Sequence, residues 1–538
     1  MQTIRRLYFY AVSLVSLEVI IWGLIGLLRT IISDVIYADA DILAQALALI
    51  LVGVPIFLLH WIWAQRAAAR DEEEHTSSVR ALFLYAALLA TLIPVVSNLL
   101  AFINRSLITT AQLNARMALL GGSQTWSDNL IAILFNGLVA AYFFHIVRTD
   151  WDTLSDRVAF ADVRRLYRYI WLVIGLLMTI FGTQQLIKYL FYLPSSIMGE
   201  PGRELFINGL ALALVGTPIW VYSWKICQEA LAEPAEADSR LRLTVLYLLA
   251  LGGVITVLAS GGVLLSVILR LILGERMEMR ALLQLIDGPI SIGVPLGAVW
   301  AYYGRILSDE IAAQPDSRLA ANLKRLYYYI LSLIGLTTTF VGAVGILSFI
   351  IDRLTASSVL GYTLTERLAN SLAMLMVGLP VWLLTWRPMQ AEAAVPGEPG
   401  DAARRAAIRK AYLYLVLFAS VIGGMASAVG LFYLLISAAL GSQQSSFLTD
   451  VLDAAQFLVL FIALLAYHLA SLRADGRRSA GLSEARQQAF RVLAIAPQPD
   501  DAFSAALRVA FQKHAARLPL DIQPMQAGLP TESDARAV

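Results

Sequence analysis

One cysteine, Cys227, in 538 residues excludes an internal disulfide framework and a cysteine-built zinc site, which leaves it a packing role. Charged residues make up only 15% of the chain against 58% hydrophobic ones, too apolar a balance for a water-soluble fold, whose apolar share is nearer half. Lipid is the expected solvent. The net charge of +2 says little by itself, and there is no basic stripe with interleaved aromatics of the kind that binds nucleic acid. Also missing are a phosphate-binding glycine loop, a nucleophile elbow, a zincin helix and a pair of catalytic carboxylates on one helix face. No enzymatic activity, cofactor or metal site is expected.

What the chain does contain is long apolar runs. Lys, Arg, Asp and Glu crowd the segments between stretches of about 20 nearly uncharged residues, as a bilayer about 30 Å thick requires. The runs predict helices near 4–32, 43–65, 80–104, 128–148, 164–193, 204–226, 241–272, 282–307, 323–352, 367–387, 409–440 and 449–472. They are apolar all round, whereas a membrane barrel would show short alternating segments. The fold class is therefore all-α, a polytopic membrane protein of about 12 transmembrane helices. The first run, from Ile4 to Ile32, is longer than a signal-peptide core and is expected to remain in the mature chain.

The runs repeat at offsets of about 160 residues. One helix opens Arg6-Leu7-Tyr8-Phe9-Tyr10, another Arg165-Leu166-Tyr167-Arg168-Tyr169, a third Arg325-Leu326-Tyr327-Tyr328-Tyr329. The helix after each carries Val52-Gly53-Val54-Pro55 with Trp61 and Gln65, Val215-Gly216-Thr217-Pro218 with Trp224 and Gln228, or Val377-Gly378-Leu379-Pro380 with Trp386 and Gln390. A second hairpin then begins at Arg80, Arg242 or Arg409 and includes Tyr142, Tyr302 or Tyr467. The unit is four helices, two antiparallel hairpins, and an even number of spans gives every copy the same orientation. A pseudo-three-fold bundle about the membrane normal is expected, with units at 1–160, 161–320 and 321–475.

Segments on the amino-terminal side hold roughly 20 Lys and Arg against about 10 on the other, which places both termini in the cytoplasm. Residues 476–538 form a tail. Apolar spacing from Ser483 to Ile495 and from Phe503 to Phe511 suggests two short amphipathic helices, and composition from about Pro519 onward suggests disorder.

The Gly-x-Pro motif is the most interesting repeat for function. A proline removes an amide donor and displaces the carbonyl four residues earlier, here Leu51, Leu214 and Met376. Each proline precedes its terminal glutamine by ten residues, about 15 Å, close to the midplane. Gly53, Pro55, Gly216, Pro218, Gly378 and Pro380 are therefore candidate functional positions, either as hinges and freed carbonyls around a pathway or as kinks with close helix contact through the glycine. The contact is the commoner use. Glu18 is a further candidate, because an ionised side chain at the centre of a span costs about 3 kcal/mol. Its equivalents are Leu177 and Thr337, so any role is its own. His60 lies too near the cytoplasmic end to reach it. The Arg-Leu-Tyr openings and the tryptophans Trp61, Trp63, Trp224 and Trp386 read as interfacial anchors, and Asp71 to His75 as solvated loop charge.

With these helix openings and Gly-x-Pro hairpins, the chain resembles a bacterial multi-pass membrane family known only as domain of unknown function 5671, present in tandem copies over most of residues 1–475. The resemblance implies the fold and transfers no activity, cofactor or site residue. The leading expectation is an integral membrane protein working as a structural, sensory or partner-binding component of a prokaryotic cytoplasmic membrane. Its expected partners are membrane lipids and a protein reached through the tail. The alternative is a transporter or channel with a central pathway among the units.

Overall fold

The computed structural model describes residues 2–32, 40–114, 118–120, 124–193, 200–237, 239–313, 318–355, 361–441, 446–489, 492–496, 502–514 and 520–524. Among them are 12 helices long and apolar enough to cross a membrane. They are α1 (Gln2–Ile32), α2 (Ala40–Arg70), α3 (Ser78–Thr110), α4 (Trp126–Thr153), α5 (Val158–Tyr192), α6 (Glu200–Glu229), α7 (Arg240–Ile272), α8 (Met279–Ala313), α9 (Arg318–Leu354), α10 (Gly361–Ala394), α11 (Ala407–Ala439) and α12 (Phe447–Ala489). The fold is all-α and polytopic, as the apolar runs indicate.

The helices overrun the runs that predict them. Even α4, the shortest at 28 residues, is about 42 Å long at 1.5 Å per residue, more than the hydrocarbon thickness. Side-chain caps begin two of these helices. Thr125 and Asp128 form a reciprocal capping box at the start of α4, which satisfies amide donors that the first turn leaves open. Ser77 accepts from the Val79 amide to begin α3.

Two compact units are present, Met1–Ala320 and Ala321–Val538. In the first, α1 and α2, α3 and α4, α5 and α6, and α7 and α8 pair as hairpins, and α3 also packs on α5 and α6. Its largest core gathers Tyr10, Leu17, Ile21, Trp61, Phe83 and Phe143 from α1 to α4. In the second unit the corresponding core is Tyr329, Leu336, Trp386, Met389, Tyr412 and Val416. Away from these cores the helices present bare apolar side chains, among them Leu51, Trp22, Leu384 and Phe418, each more than half exposed. Such surface is stable only in lipid.

The tail departs from the sequence expectation. α12 runs on to Ala489, Val492–Ala496 is a strand (β1) rather than the end of a helix, and Leu520–Pro524 is a second strand (β2) where disorder was expected. The strands pair in parallel, Val492 opposite Leu520 and Ala494 opposite Ile522, with helix α13 (Ala502–His514) between them. A parallel pair needs such a crossover. In β2, Leu520 and Ile522 alternate with Asp521 and Gln523, a period of two that the neighbouring prolines obscure.

Candidate functional site

The side chains with most chemistry gather, in each copy, where the third helix begins and the fourth helix ends. Arg80 opens α3 and is 2% exposed. Its Nε donates to Asp150 Oδ2 at 2.8 Å and its Nη2 to Asp150 Oδ1 at 3.2 Å, a bidentate pair with the last turn of α4. Nη2 also donates to Gln65 Oε1 on α2 at 2.8 Å and Nη1 to Tyr10 Oη on α1 at 3.4 Å. One guanidinium thus joins its own helix to the other three of the first copy. Its planar fork is what allows this, since a lysine ammonium could not serve several acceptors in fixed directions.

The third copy repeats the node closely. Arg409, 0% exposed, donates from Nε to Asp475 Oδ2 at 2.6 Å, from Nη2 to Asp475 Oδ1 at 3.1 Å and Gln390 Oε1 at 3.0 Å, and from Nη1 to Tyr329 Oη at 3.0 Å and the Met389 carbonyl at 3.3 Å. In the second copy Arg242 pairs with Glu310, Nε to Oε1 2.7 Å, and Tyr169 adjoins the guanidinium. There the acid is one methylene longer.

Two further layers repeat with the node. Beneath it, Trp61 donates from Nε1 to Tyr142 Oη at 2.8 Å, Trp224 to Tyr302 at 2.8 Å and Trp386 to Tyr467 at 2.7 Å, each joining the second helix to the fourth. These three tryptophans are at most 9% exposed. They are core residues, which corrects their reading as an interfacial belt; of the four read that way, Trp63 is exposed. At the rim, Arg6 binds Glu74 at 2.7 Å, Arg165 binds Glu236 at 2.7 Å and Arg325 binds Glu392 at 2.6 Å. The helix openings are therefore half tie and half core, because Tyr10, Tyr169 and Tyr329 are buried. The run at Asp71 is also put to structural use. Asp71 caps the turn Glu72–His75, Glu74 is 4% exposed in its ion pair, and His75 Nε2 lies 3.5 Å from Asp150.

A family model described as Domain of unknown function (DUF5671) matches residues 6–138, 165–298 and 325–466. The chain belongs to this family. It carries three tandem DUF5671 copies, and each match begins at the rim arginine, Arg6, Arg165 or Arg325. Each ends short of the node's carboxylate, Asp150, Glu310 or Asp475. No curated protein and no solved structure matches the chain.

Within each DUF5671 copy the Gly-x-Pro motif lies on the second helix, and its two ends point to opposite sides. A Cβ on Gly216 would sit 2.5 Å from Met178 Cβ, one on Gly378 2.6 Å from the Thr339 amide nitrogen, and one on Gly53 2.9 Å from Ile20 Cγ1. The glycines thus let the second helix approach the first. Two residues on, a rotation of about 200° carries Pro55, Pro218 and Pro380 to exposed positions. Leu51, Leu214 and Met376, whose carbonyls the prolines displace, are 73%, 53% and 53% exposed. The contact is tightest in the second and third copies, where Gly175 and Gly335 on the first helix also meet tryptophan backbone, with a built Cβ 2.5 Å from the amide nitrogens of Trp220 and Trp382. The first copy has Ser16 at that position.

Glu18 stands apart from the node. Its Oε1 is buried with no hydrogen-bond partner among the described residues, and the Trp22 side chain one turn on bonds the carboxyl. His60 contacts the Ile56 carbonyl at 2.8 Å and Tyr8 Oη at 3.4 Å instead. The other polar side chains within the spans mostly tie helices or their own turns. Asn104 donates to Asn208 Oδ1 at 2.6 Å between α3 and α6, Gln456 on α12 donates to Ser348 Oγ on α9 at 2.6 Å, and Asn136 bonds the Ala132 carbonyl. Among the described residues no group of three or more His, Cys, Asp or Glu could hold a metal ion.

The Arg80, Arg242 and Arg409 repeats are visible in the sequence as hairpin starts, whereas their carboxylate partners stand in no motif. Asp150, Glu310 and Asp475 recur at similar offsets from one another, which was the available signal. A carboxylate at a helix end ordinarily reads as loop charge.

Proposed function

We propose that this DUF5671 protein is a non-enzymatic structural, sensory or partner-binding component of a prokaryotic cytoplasmic membrane. Both termini lie in the cytoplasm in this reading. The observation that carries the reading is the node. In each copy the buried guanidinium is engaged with a carboxylate and a tyrosine, and in the first and third copies its hydrogen bonds clamp all four helices. The Gly-x-Pro glycines likewise face a neighbouring helix. A polar, cytoplasm-facing set of helix ends with a folded β-α-β tail offers lipids and a protein partner a surface to bind.

Reconstitution tests this against the transporter reading. Proteoliposomes of the purified full chain are expected to conduct protons and potassium no faster than empty liposomes. A flux that Glu18→Gln abolishes would replace this reading with transport through a path lined by that residue. Orientation is tested separately in a Cys227→Ala background. A membrane-impermeant maleimide on intact cells should label Thr110→Cys and leave Ala232→Cys unlabelled; the reverse pattern would invert the topology.

A further inference from the structure

The second copy holds a pair of arginines that the node does not use. Arg164 and Arg168 lie one turn apart on α5, within its first three turns. Arg164 Nε and Arg168 Nη1 are buried with no acceptor within hydrogen-bond distance among the described residues. Arg165 between them takes Glu236 at 2.7 Å and Asp162 at 2.9 Å. Glu233 and Glu236 both act on Arg164 through space, yet Glu233 is exposed and Glu236 is bound to Arg165. Like charges at this spacing repel, and a desolvated guanidinium with an open donor is unfavourable.

Aromatic rings lie beside Arg164 and near the pair. The Arg164 Cζ lies 3.6 Å from the Trp151 ring centroid on α4, with Arg157 on the same ring at 5.3 Å. Tyr85 on α3, 5% exposed, stands 5.2 Å ring to ring from Tyr167, and both arginines act on its hydroxyl. The cluster therefore draws on α3 and α4 of the first copy and α5 of the second, all within the unit Met1–Ala320. It is particular to this junction, since the positions of Arg164 and Arg168 hold Arg5 and Phe9 in the first copy and Lys324 and Tyr328 in the third.

We propose that Arg164 and Arg168 bind a phosphate group at the amino-terminal membrane face, between the first and second copies. Two guanidinium forks match phosphate oxygens bidentately, and the Trp151 ring covers one face of the Arg164 fork. The phosphate is that of an anionic lipid headgroup or a free phosphate anion, and the experiment separates the two.

The intact chain is purified in detergent in four forms: wild type, Arg164→Gln/Arg168→Gln, Arg164→Lys/Arg168→Lys, and Arg5→Gln/Arg70→Gln, which removes two exposed cations elsewhere. Each is offered equal amounts of phosphatidylglycerol and phosphatidylcholine and read by native mass spectrometry. Each is also melted in inorganic phosphate against chloride at equal ionic strength. If the source is lipid, wild type and the Arg5/Arg70 control retain phosphatidylglycerol selectively, and the Gln pair loses roughly tenfold or more of that retention. If the source is free phosphate, the melting temperature rises with phosphate in wild type and control and not in the Gln pair. Should the Gln pair fail to fold, the Lys pair decides, because it keeps the charge and loses the fork; its binding should be measurably weaker. The proposal is overturned if wild type prefers neither ligand, if the Gln pair binds as wild type does, or if the Lys pair binds undiminished.

Discussion

Replacing Arg409 by methionine should destabilise the third copy by about 3–5 kcal/mol, the usual effect of removing one partner of a buried ion pair. The substitution keeps an unbranched apolar stem, two atoms shorter than arginine, and deletes five hydrogen bonds, two of them to Asp475. What dominates is not those bonds but the carboxylate left behind, which is 8% exposed with its cation gone. The double variant Arg409→Met/Asp475→Leu removes that orphan charge and should recover most of the loss, since an apolar pair of similar volume is often neutral against a buried salt bridge. A double-mutant cycle therefore predicts a coupling of about 3 kcal/mol or more between the two sites. Equilibrium unfolding in mixed micelles of sodium dodecyl sulfate, followed by tryptophan fluorescence, suits the measurement because Trp386 lies 5.6 Å from the guanidinium carbon. If Arg409→Met costs under about 1 kcal/mol, or if the double variant loses the sum of the two singles, the clamp argument fails.

Three other outcomes follow from the same structure. Gly216→Ala and Gly378→Ala should each lower stability by about 1–3 kcal/mol, because the new methyl meets a neighbour at 2.5 or 2.6 Å; Pro218→Ala, on the exposed face, should leave it unchanged or raise it in the same unfolding assay. In the loop after α7, the hydrogen bond and ion pair from Arg270, at 2.6 Å, hold the Glu275 carboxyl below its ordinary value. A lowered carboxyl stabilises the fold above its unfolded pKa and loses that contribution as pH falls through the folded one. The melting temperature of Glu275→Gln should therefore sit slightly below wild type at pH 7 and converge with it under acid; a gap that persists at low pH would contradict the pairing. Finally, Ile522 is 8% exposed in β2, and Ile522→Lys should open the tail to limited proteolysis while the membrane-embedded remainder keeps its melting temperature.

Much of this protein is legible in its sequence. The bilayer imposes a length and a polarity on every span, and backbone groups in lipid must be satisfied within the helix, so twelve apolar runs could only become twelve helices. Duplication made the repeat visible, and with it the three-copy organisation that the DUF5671 matches share. The tail was less legible. Five-residue strands carry little periodic signal, and the pairing of Val492 with Leu520 joins residues far apart in sequence.

What the sequence determined by itself, then, is membership of the membrane, helix number and the four-helix unit, because these depend on hydropathy summed over many residues. What only the tertiary structure decided is the direction in which individual side chains point. Trp61, Tyr10 and Arg80 carry interfacial or topological chemistry in a linear reading and occupy the core in space. Pro55 and Gly53, two residues apart, face opposite ways. Burial of a charge in lipid demands a partner, and the partner's identity is a matter of which helices meet. Asp150 becomes the counter-ion of Arg80 only when the end of α4 closes against the start of α3.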